Sequence, residues 1–272
     1  APDTVSLSNL HRQILYQETD INYPKANCAK ARLSALNSDI KISAISAKLS
    51  QKNVADLVAK ATVVVDAADN FLASYLLSDA CLKSHTPLVS ASVVSTHGYV
   101  GVFCGTKAQP APSLRAVFPV PATSNQNCTN AGVTGPSVGI IGSYQAQEVL
   151  KVIMQDPEQL LGKLLTIDAW SYQLSIVDFN TATEPSVFAE IIDFDSVSNN
   201  DVLLDVRTAN EFSQTTITNT AINLPLADLK QGRHKLGTST RIVCLCSSGQ
   251  RALVAANHLL KNGHINVAVT AE

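Results

Sequence analysis

Short apolar blocks alternate with polar ones along the whole chain, and their spacing switches between that of helices and that of strands. In residues 24–37 apolar positions recur every three or four residues, and Pro24 suits the first turn of a helix. Residues 62–66 form a β-branched run, which predicts a strand buried on both faces of a parallel sheet. The alternation predicts an α/β fold in which helices cover a sheet.

The same patterns predict the other elements of a larger first part. Helices are expected at residues 53–60, 71–84 and 136–154, and strands at residues 40–49, 87–93, 99–104, 163–169 and 172–179. One apolar stripe of the last helix should face the sheet: Val138, Ile141, Val149, Val152 and Ile153.

A break in the pattern predicts two domains. Residues 181–189 contain a proline and follow no period, so we expect a linker there. Residues 1–180 form the first domain. Residues 190–272 repeat the α/β alternation on a smaller scale, with strands at 202–206, 241–246 and 266–269 and a helix at 251–262. A chain of 272 residues has room for both, at about 150 residues per domain.

Composition excludes several classes of protein. The net charge is −2, and charges of one sign form no long run, so binding to nucleic acid or to an anionic membrane through bulk charge is not expected. No apolar segment reaches the ~20 residues needed to cross a bilayer. The first residues resemble neither a signal nor a transit peptide, which predicts a cytoplasmic protein. The six scattered cysteines include no C-x-x-C pair, which favours reduced thiols.

The most specific chemical signal follows the strand at 241–246. Cys246 ends this strand, a short loop with Gly249 follows, and Arg251 opens the next helix. Amides of such a loop can point inward and stabilise an anion, so we expect a reactive thiolate at Cys246 with Arg251 as its charged partner. The alternative is a buried cysteine followed by an ordinary turn. Cys244, within the strand, is expected to be a core residue.

This segment resembles the rhodanese-type sulfurtransferase domains. The resemblance rests on LLDVRTANEF at residues 203–212, AINLPL at 221–226 and the C-x-x-x-x-R loop. It implies that Cys246 carries a persulfide whose charge is held by Arg251 and the loop amides. Asp205 and Arg207, in the first of these motifs, are expected to brace the fold.

Three polar clusters lie at ends of predicted elements in the first domain. Residues 8–13 (SNLHRQ) precede the first helix, Lys25 begins it, and residues 66–70 (DAADN) close a strand. Basic side chains suit a triphosphate, and a carboxylate at a strand end suits magnesium. Each cluster also has a simpler interpretation, because Asp-Asn commonly caps a helix and basic side chains are usually solvated. Their combination is more specific.

That combination resembles the ubiquitin-activating-type adenylyltransferases of the ThiF and MoeB kind. The motifs are DTVSLSNLHRQ, YPKA, DAADN, PLVSAS and NCTNAGVTGPSVGIIGSYQAQEVLK, spread over residues 3–151. The resemblance implies that Asn9, Arg12 and Lys25 contact the phosphates of ATP. It further implies that Gln13 lines the same pocket and that Asp69 binds magnesium.

The two resemblances together imply one function. The first domain would adenylate the C-terminal glycine of a ubiquitin-like sulfur carrier, and the Cys246 persulfide would convert the adenylate to a thiocarboxylate. Cys128 matches a cysteine that takes part in sulfur transfer in several members of the family. The family also implies a cysteine desulfurase as sulfur donor and a homodimer. Thiamine, molybdopterin and tRNA thiolation stay open as the pathway served.

Two departures keep an alternative open. We find neither the family's N-terminal strand nor its glycine-rich phosphate loop in the sequence, and no G-x-G-x-x-G supports a dehydrogenase either. Ser113 and Ala116 occupy the first C-x-x-C spacing of the family's zinc site, so we expect no zinc. The alternative is an adenylation-deficient module that binds a carrier and has sulfurtransferase activity only, or none.

Overall fold

The computed structural model describes residues 2–121, 132–215, 217–218, 220–232, 236–237 and 240–271, whose strands form two sheets. Among the described residues, the first part of the chain has the helices α1 (Lys25–Leu36), α2 (Gln51–Val58), α3 (Phe71–Ser84), α4 (Leu114–Val117) and α5 (Gly135–Met154). Its strands are β1 (Val64–Asp66), β2 (Leu88–Val94), β3 (His97–Phe103), β4 (Lys163–Asp168) and β5 (Gln173–Asp178). The expected helix at 71–84 and the strands that correspond to β2–β5 are confirmed.

The first sheet is mixed rather than parallel. Its strand order is β1-β2-β3-β4-β5, and only β1 and β2 run parallel, in a register that pairs Val64 with Leu88. The other three neighbouring pairs are antiparallel. The expected parallel pairing is therefore confirmed for the strand at residues 62–66, which is β1, but it does not extend to the other strands described here. The connections explain the difference, because two residues between β2 and β3 and four between β4 and β5 are enough only for hairpins.

Two strand predictions at this end of the sheet are corrected. Residues 40–49 contain no strand, and Ile40 and Ile45 are both 50% exposed. In the part of the chain that the structure describes, no neighbouring strand pairs with this alternating segment. β1 lies at the edge of the described sheet, and Val65 is 46% exposed, so this strand is not buried on both faces.

The predicted stripe of α5 is only partly correct. Ile141 is buried, but Ile153 is 54% exposed, and the buried positions that follow Ile141 are Gln145 and Glu148. Gln145 Nε2 donates hydrogen bonds to the carbonyl oxygens of Asp66 and Val89, at 2.7 and 3.0 Å. Hydrogen bonds to the backbone of the sheet therefore help to hold α5 in place, on the face for which the sequence pattern predicted apolar packing.

The second sheet is entirely parallel. Its strands are β6 (Glu190–Ile191), β7 (Val202–Asp205), β8 (Ile222–Asn223), β9 (Ile242–Cys246) and β10 (Val267–Ala271), in the order β6-β10-β9-β7-β8. Its helices are α6 (Ala209–Gln214), α7 (Leu226–Lys230) and α8 (Gln250–Lys261). β9 is buried along its whole length, as the continuous apolar run predicts. The α/β order expected for this part is confirmed.

No helix in the described part of the chain has the length and apolar character needed to span a membrane.

Replacing Gln145 with Leu should lower the free energy of unfolding of the first domain. The substitution removes two buried hydrogen bonds and leaves the carbonyl oxygens of Asp66 and Val89 without this donor, so we expect a loss of about 1–3 kcal/mol. Urea denaturation measures the loss. Gln147→Leu, at an exposed position of the same helix, is the control. An equal loss in both variants would contradict the role given to Gln145.

Candidate functional site

Cys246 ends β9 at the carboxyl edge of the second sheet. Its side chain has no exposed surface, and it is paired in register with Ala271 at the end of β10. The chain then turns through Gly249, whose φ of 76° is left-handed, into α8. The predicted order of strand, short loop and helix is confirmed. In an open parallel sheet this edge is where ligands gather.

Arg251, in the first turn of α8 after this loop, is hydrogen-bonded to the carboxylate of Glu211. Its Nη1 and Nη2 donate to Glu211 Oε2 and Oε1 at 2.7 and 2.8 Å. This pairing raises the pKa of Arg251, and the nearby Cys246 contributes in the same direction. Arg251 is thus within electrostatic range of the sulfur, but its described hydrogen bonds go to Glu211.

Glu211 is a residue that the sequence analysis left without a role. It also accepts hydrogen bonds from the backbone N–H and the hydroxyl of Thr208, at 2.9 and 2.7 Å, and so closes a capping box at the start of α6. The hydrogen bonds from Arg251 and Thr208 lower the pKa of Glu211 to about 2. The signal was present in the sequence, since Glu211 lies in the TANEF segment of the quoted motif.

Asp205 and Arg207 form a second ion pair below the loop. Asp205 is fully buried and Arg207 is 4% exposed, with 2.7 Å between Arg207 Nη2 and Asp205 Oδ2. Arg207 also donates to the carbonyl oxygen of Thr215 at 2.8 Å. These contacts hold both side chains in place at the end of β7, which agrees with a bracing role.

Asn9, Arg12 and Gln13 lie in one compact turn near the start of the chain. Both Arg12 N–H and Gln13 N–H donate to the carbonyl oxygen of Asn9, at 3.1 and 2.9 Å. The guanidinium of Arg12 donates to the carbonyl oxygen of Ser8 at 2.9 Å. Gln13 Oε1 is buried and has no hydrogen-bond partner among the residues that the structure describes. An orphaned acceptor of this kind is unusual, because buried polar atoms are nearly always paired.

Lys25 is tied to this turn through the backbone. It begins α1, and its carbonyl oxygen accepts a hydrogen bond from the hydroxyl of Tyr16 at 3.3 Å. Lys25 Nζ lies 3.5 Å from Asp3 Oδ2, a long contact for an ion pair. Tyr16 connects Lys25 to the turn, because its backbone N–H donates to the carbonyl oxygen of Gln13 at 3.0 Å.

Asp69 and Asp66 have different roles, although both follow β1. Asp66 is 2% exposed, accepts a hydrogen bond from Ser90 Oγ at 2.9 Å, and has a pKa raised by burial. Asp69 is exposed, and its Oδ1 is 3.3 Å from the side-chain amide nitrogen of Asn70. Asn70 in turn caps α3 through the backbone N–H of Ala73. Asp66 thus supports the sheet, and Asp69 keeps a solvent-facing carboxylate.

The structure does not join Asp69 to the basic side chains. Among the residues it describes, no hydrogen bond or ion pair links Asp69 to Arg12 or Lys25, and no group of three potential metal ligands is present. Cys128 lies outside the described residues.

Ser113 and Ala116 form a helix cap. Ser113 Oγ accepts from the backbone N–H of Ala116 at the start of α4. The N–H and hydroxyl of Ser113 both donate to the carboxylate of Glu184, at 2.6 Å each. These two hydrogen bonds attach the linker, residues 181–189, to the first domain.

Comparisons with known proteins agree with this two-part architecture. Residues 2–186 match the ThiF family and residues 186–272 match the rhodanese-like domain. The adenylyltransferase and sulfurtransferase MOCS3 of Anopheles gambiae is 28% identical over 94% of this chain and 69% of its own length. The molybdopterin-synthase adenylyltransferase of Haemophilus influenzae is 35% identical over 67% of this chain and 74% of its own.

A solved structure shares the fold of the first part. E. coli MccB, crystallised with AMPCPP and MccA, aligns with a TM-score of 0.56 and 21% identity. The alignment covers 66% of this chain and 55% of that protein, so this chain spans about half its length.

The Glu211–Arg251 pair predicts an acid-sensitive second domain. Folding lowers the pKa of Glu211 from 4.5 to about 2, so the pair stabilises the fold above pH 4.5 and this contribution is lost as the pH falls toward 2. Urea midpoints measured between those values should fall less steeply for Glu211→Gln than for the native chain. Glu158→Gln, at an exposed site in the first domain, should keep the native slope. An unchanged slope in Glu211→Gln would count against the assignment.

Proposed function

The chain belongs to the ThiF family and carries a rhodanese-like domain behind it, and from this we propose that it activates a sulfur-carrier protein with ATP and then transfers sulfur to it. One observation carries the proposal: Cys246 ends β9 directly before the Gly249 turn into the helix that bears Arg251, in the same chain as the ThiF domain. The names of two further relatives, a SAMP-activating enzyme E1 and a sulfur carrier protein adenylyltransferase, support the choice of substrate.

Adenylation depends mainly on positioning and charge neutralisation. Arg12 and Lys25 would face the phosphates of ATP, since the contact of Lys25 with Asp3 is long enough to be exchanged for a phosphate oxygen. The unpaired Gln13 Oε1 would accept a hydrogen bond from the nucleotide, and Asn9 would donate one from its side-chain amide. The carrier's carboxylate oxygen attacks the α-phosphorus, pyrophosphate leaves, and an acyl adenylate forms.

Magnesium would be held by Asp69. A single exposed carboxylate suits this ion, which is commonly bound by one or two carboxylates together with phosphate oxygens and water. When bound, the ion neutralises charge that builds up on the phosphates. Asn70 supports the site, because its capping of α3 fixes the backbone next to Asp69.

Sulfur transfer would follow at Cys246. A cysteine desulfurase supplies the persulfide, whose outer sulfur attacks the adenylated carbonyl carbon and displaces AMP. A thiolate at Cys128 then attacks the Cys246 sulfur, which releases the carrier thiocarboxylate and leaves a disulfide between the two cysteines. Arg251 would stabilise the anionic forms of the sulfur through its positive charge, while Glu211 fixes the position of the guanidinium.

We also propose a homodimer through apolar side chains that are exposed on the first domain. Apolar side chains that a soluble monomer would normally cover are exposed there on one helix and one strand. They are Leu150, Ile153 and Met154 of α5, at 54%, 54% and 64% exposure, and Leu174 and Ile176 of β5, at 53% and 63%.

Substitution of Ile153 by Glu should convert the dimer to a monomer, because it places a charge in an apolar interface. Sedimentation velocity at micromolar concentration measures the change. Gln147→Glu, at an exposed polar position of the same helix, is the control. A native chain that sediments as a monomer would contradict the homodimer.

Two variants should separate the two activities. Cys246→Ala should abolish thiocarboxylate formation while carrier-dependent ATP–pyrophosphate exchange continues, because adenylation does not use the thiol. Asp69→Asn should lower that exchange by about a hundredfold or more and leave sulfur transfer from thiosulfate to cyanide intact.

Cys28→Ala, at a half-buried cysteine on α1, is the control and should keep both activities. Equal loss of both in each variant would reject the division of labour. Sulfur transfer without any carrier-dependent exchange in the native chain would favour the alternative, a carrier-binding module with sulfurtransferase activity only.

A further inference from the structure

The loop that follows Cys246 packs against the first turn of α3. A Cβ placed on Gly249 would lie 2.4 Å from Cδ1 of Leu72, and 3.1 and 3.2 Å from two other atoms of the same side chain. The backbone of the loop is therefore in direct contact with Leu72. Leu72 is only three residues beyond Asp69, so this contact joins the two candidate centres of the chain.

An apolar contact continues behind Leu72. Tyr75 and Leu76 of α3 belong to the same buried cluster as Cys244 and Cys246, and Leu72 packs against that cluster. Cys246 has no exposed surface in this arrangement. The contact is thus a continuous core shared by the two domains, which resists water and small reagents.

Polar contacts flank the apolar ones. The Gln51 side chain donates to the carbonyl oxygen of Ile191 at 2.7 Å, and Lys52 forms an ion pair with Asp195. Both contacts join α2 of the first domain to the start of the second domain. They fix the direction in which the second domain meets α3.

We propose that Leu72 is a positioning residue for sulfur transfer. Its side chain holds the loop of the second domain closed over Cys246 and keeps that loop at the start of α3, next to Asp69. The part of this inference that concerns transfer rests on the proposed function, whereas the closure of Cys246 does not. A sulfur donor then reaches Cys246 only after the second domain has moved away from α3.

The test is the rate at which iodoacetamide alkylates Cys246 in the full chain, followed by peptide mass spectrometry with Cys28 as an internal reference. Leu72→Ala should raise this rate roughly tenfold, because it removes the side chain that covers the loop. Leu72→Met, of similar volume, should restore a rate close to the native one. Leu165→Ala is the matched control, since Leu165 is also half-buried but packs in a cluster made only of first-domain residues.

Equal rates in native, Leu72→Ala and Leu165→Ala chains would overturn the proposal, as would an equal rise in both Ala variants. A second pair of variants avoids the risk of misfolding. Lys52 and Asp195 are both 65% exposed, so Lys52→Glu should fold, repel Asp195 and raise the alkylation rate about threefold. Adding Asp195→Lys should reverse the rise, and a failure to reverse it would also overturn the proposal.

The transfer step is measured separately. With carrier and ATP, Leu72→Ala should lower the rate of thiocarboxylate formation, and Leu72→Met should rescue it. If the native chain shows no carrier-dependent pyrophosphate exchange, the proposed function fails while the alkylation rates still decide whether Leu72 closes the loop. Faster alkylation together with native thiocarboxylate formation would reject the positioning role.

Discussion

The ion pair between Glu211 and Arg251 joins the first turns of α6 and α8, next to the loop that follows Cys246. β7 and β9 are neighbours in its sheet, and the helices that follow them, α6 and α8, carry the two partners. Because the pair is bidentate, it sets both the spacing and the relative orientation of the helix starts. The register of β9 in the sheet sets the position of Cys246, and the ion pair sets the direction of the Arg251 guanidinium.

In the first domain, buried polar side chains of α5 likewise fix the position of a helix against the sheet. Gln145 hydrogen-bonds the backbone of β1 and β2, and Glu148 accepts from the backbone N–H of Leu160 at 2.9 Å. With polar groups facing the sheet, the outer face of α5 holds apolar residues that a helix of ordinary amphipathic design would bury. The polar contacts that hold α5 against the sheet therefore go together with exposed apolar residues on its other face, and the homodimer proposal rests on those residues.

The sequence analysis was correct where the residues that define an element lie close together along the chain. β9, the loop and α8 were predicted because a continuous apolar run, a glycine and a helical pattern follow one another within residues 242–261. The strand expected at 40–49 failed because alternation shows only that a strand is possible, and no partner strand is present in the described structure to pair with it. The pairing of Arg251 with Glu211 joins residues 40 positions apart, and spacing along the chain carries no such information.

The two hydrogen bonds between Ser113 and Glu184 reduce the freedom of the linker between the two domains. A free linker over residues 181–189 would let the second domain sample a wide volume, but the attachment of Glu184 leaves only a few linker residues on either side. The effective concentration of the Cys246 loop at the surface of α3 rises accordingly, without any new contact at that surface. A carboxylate of the linker thereby sets how often the Cys246 loop and the start of α3 meet.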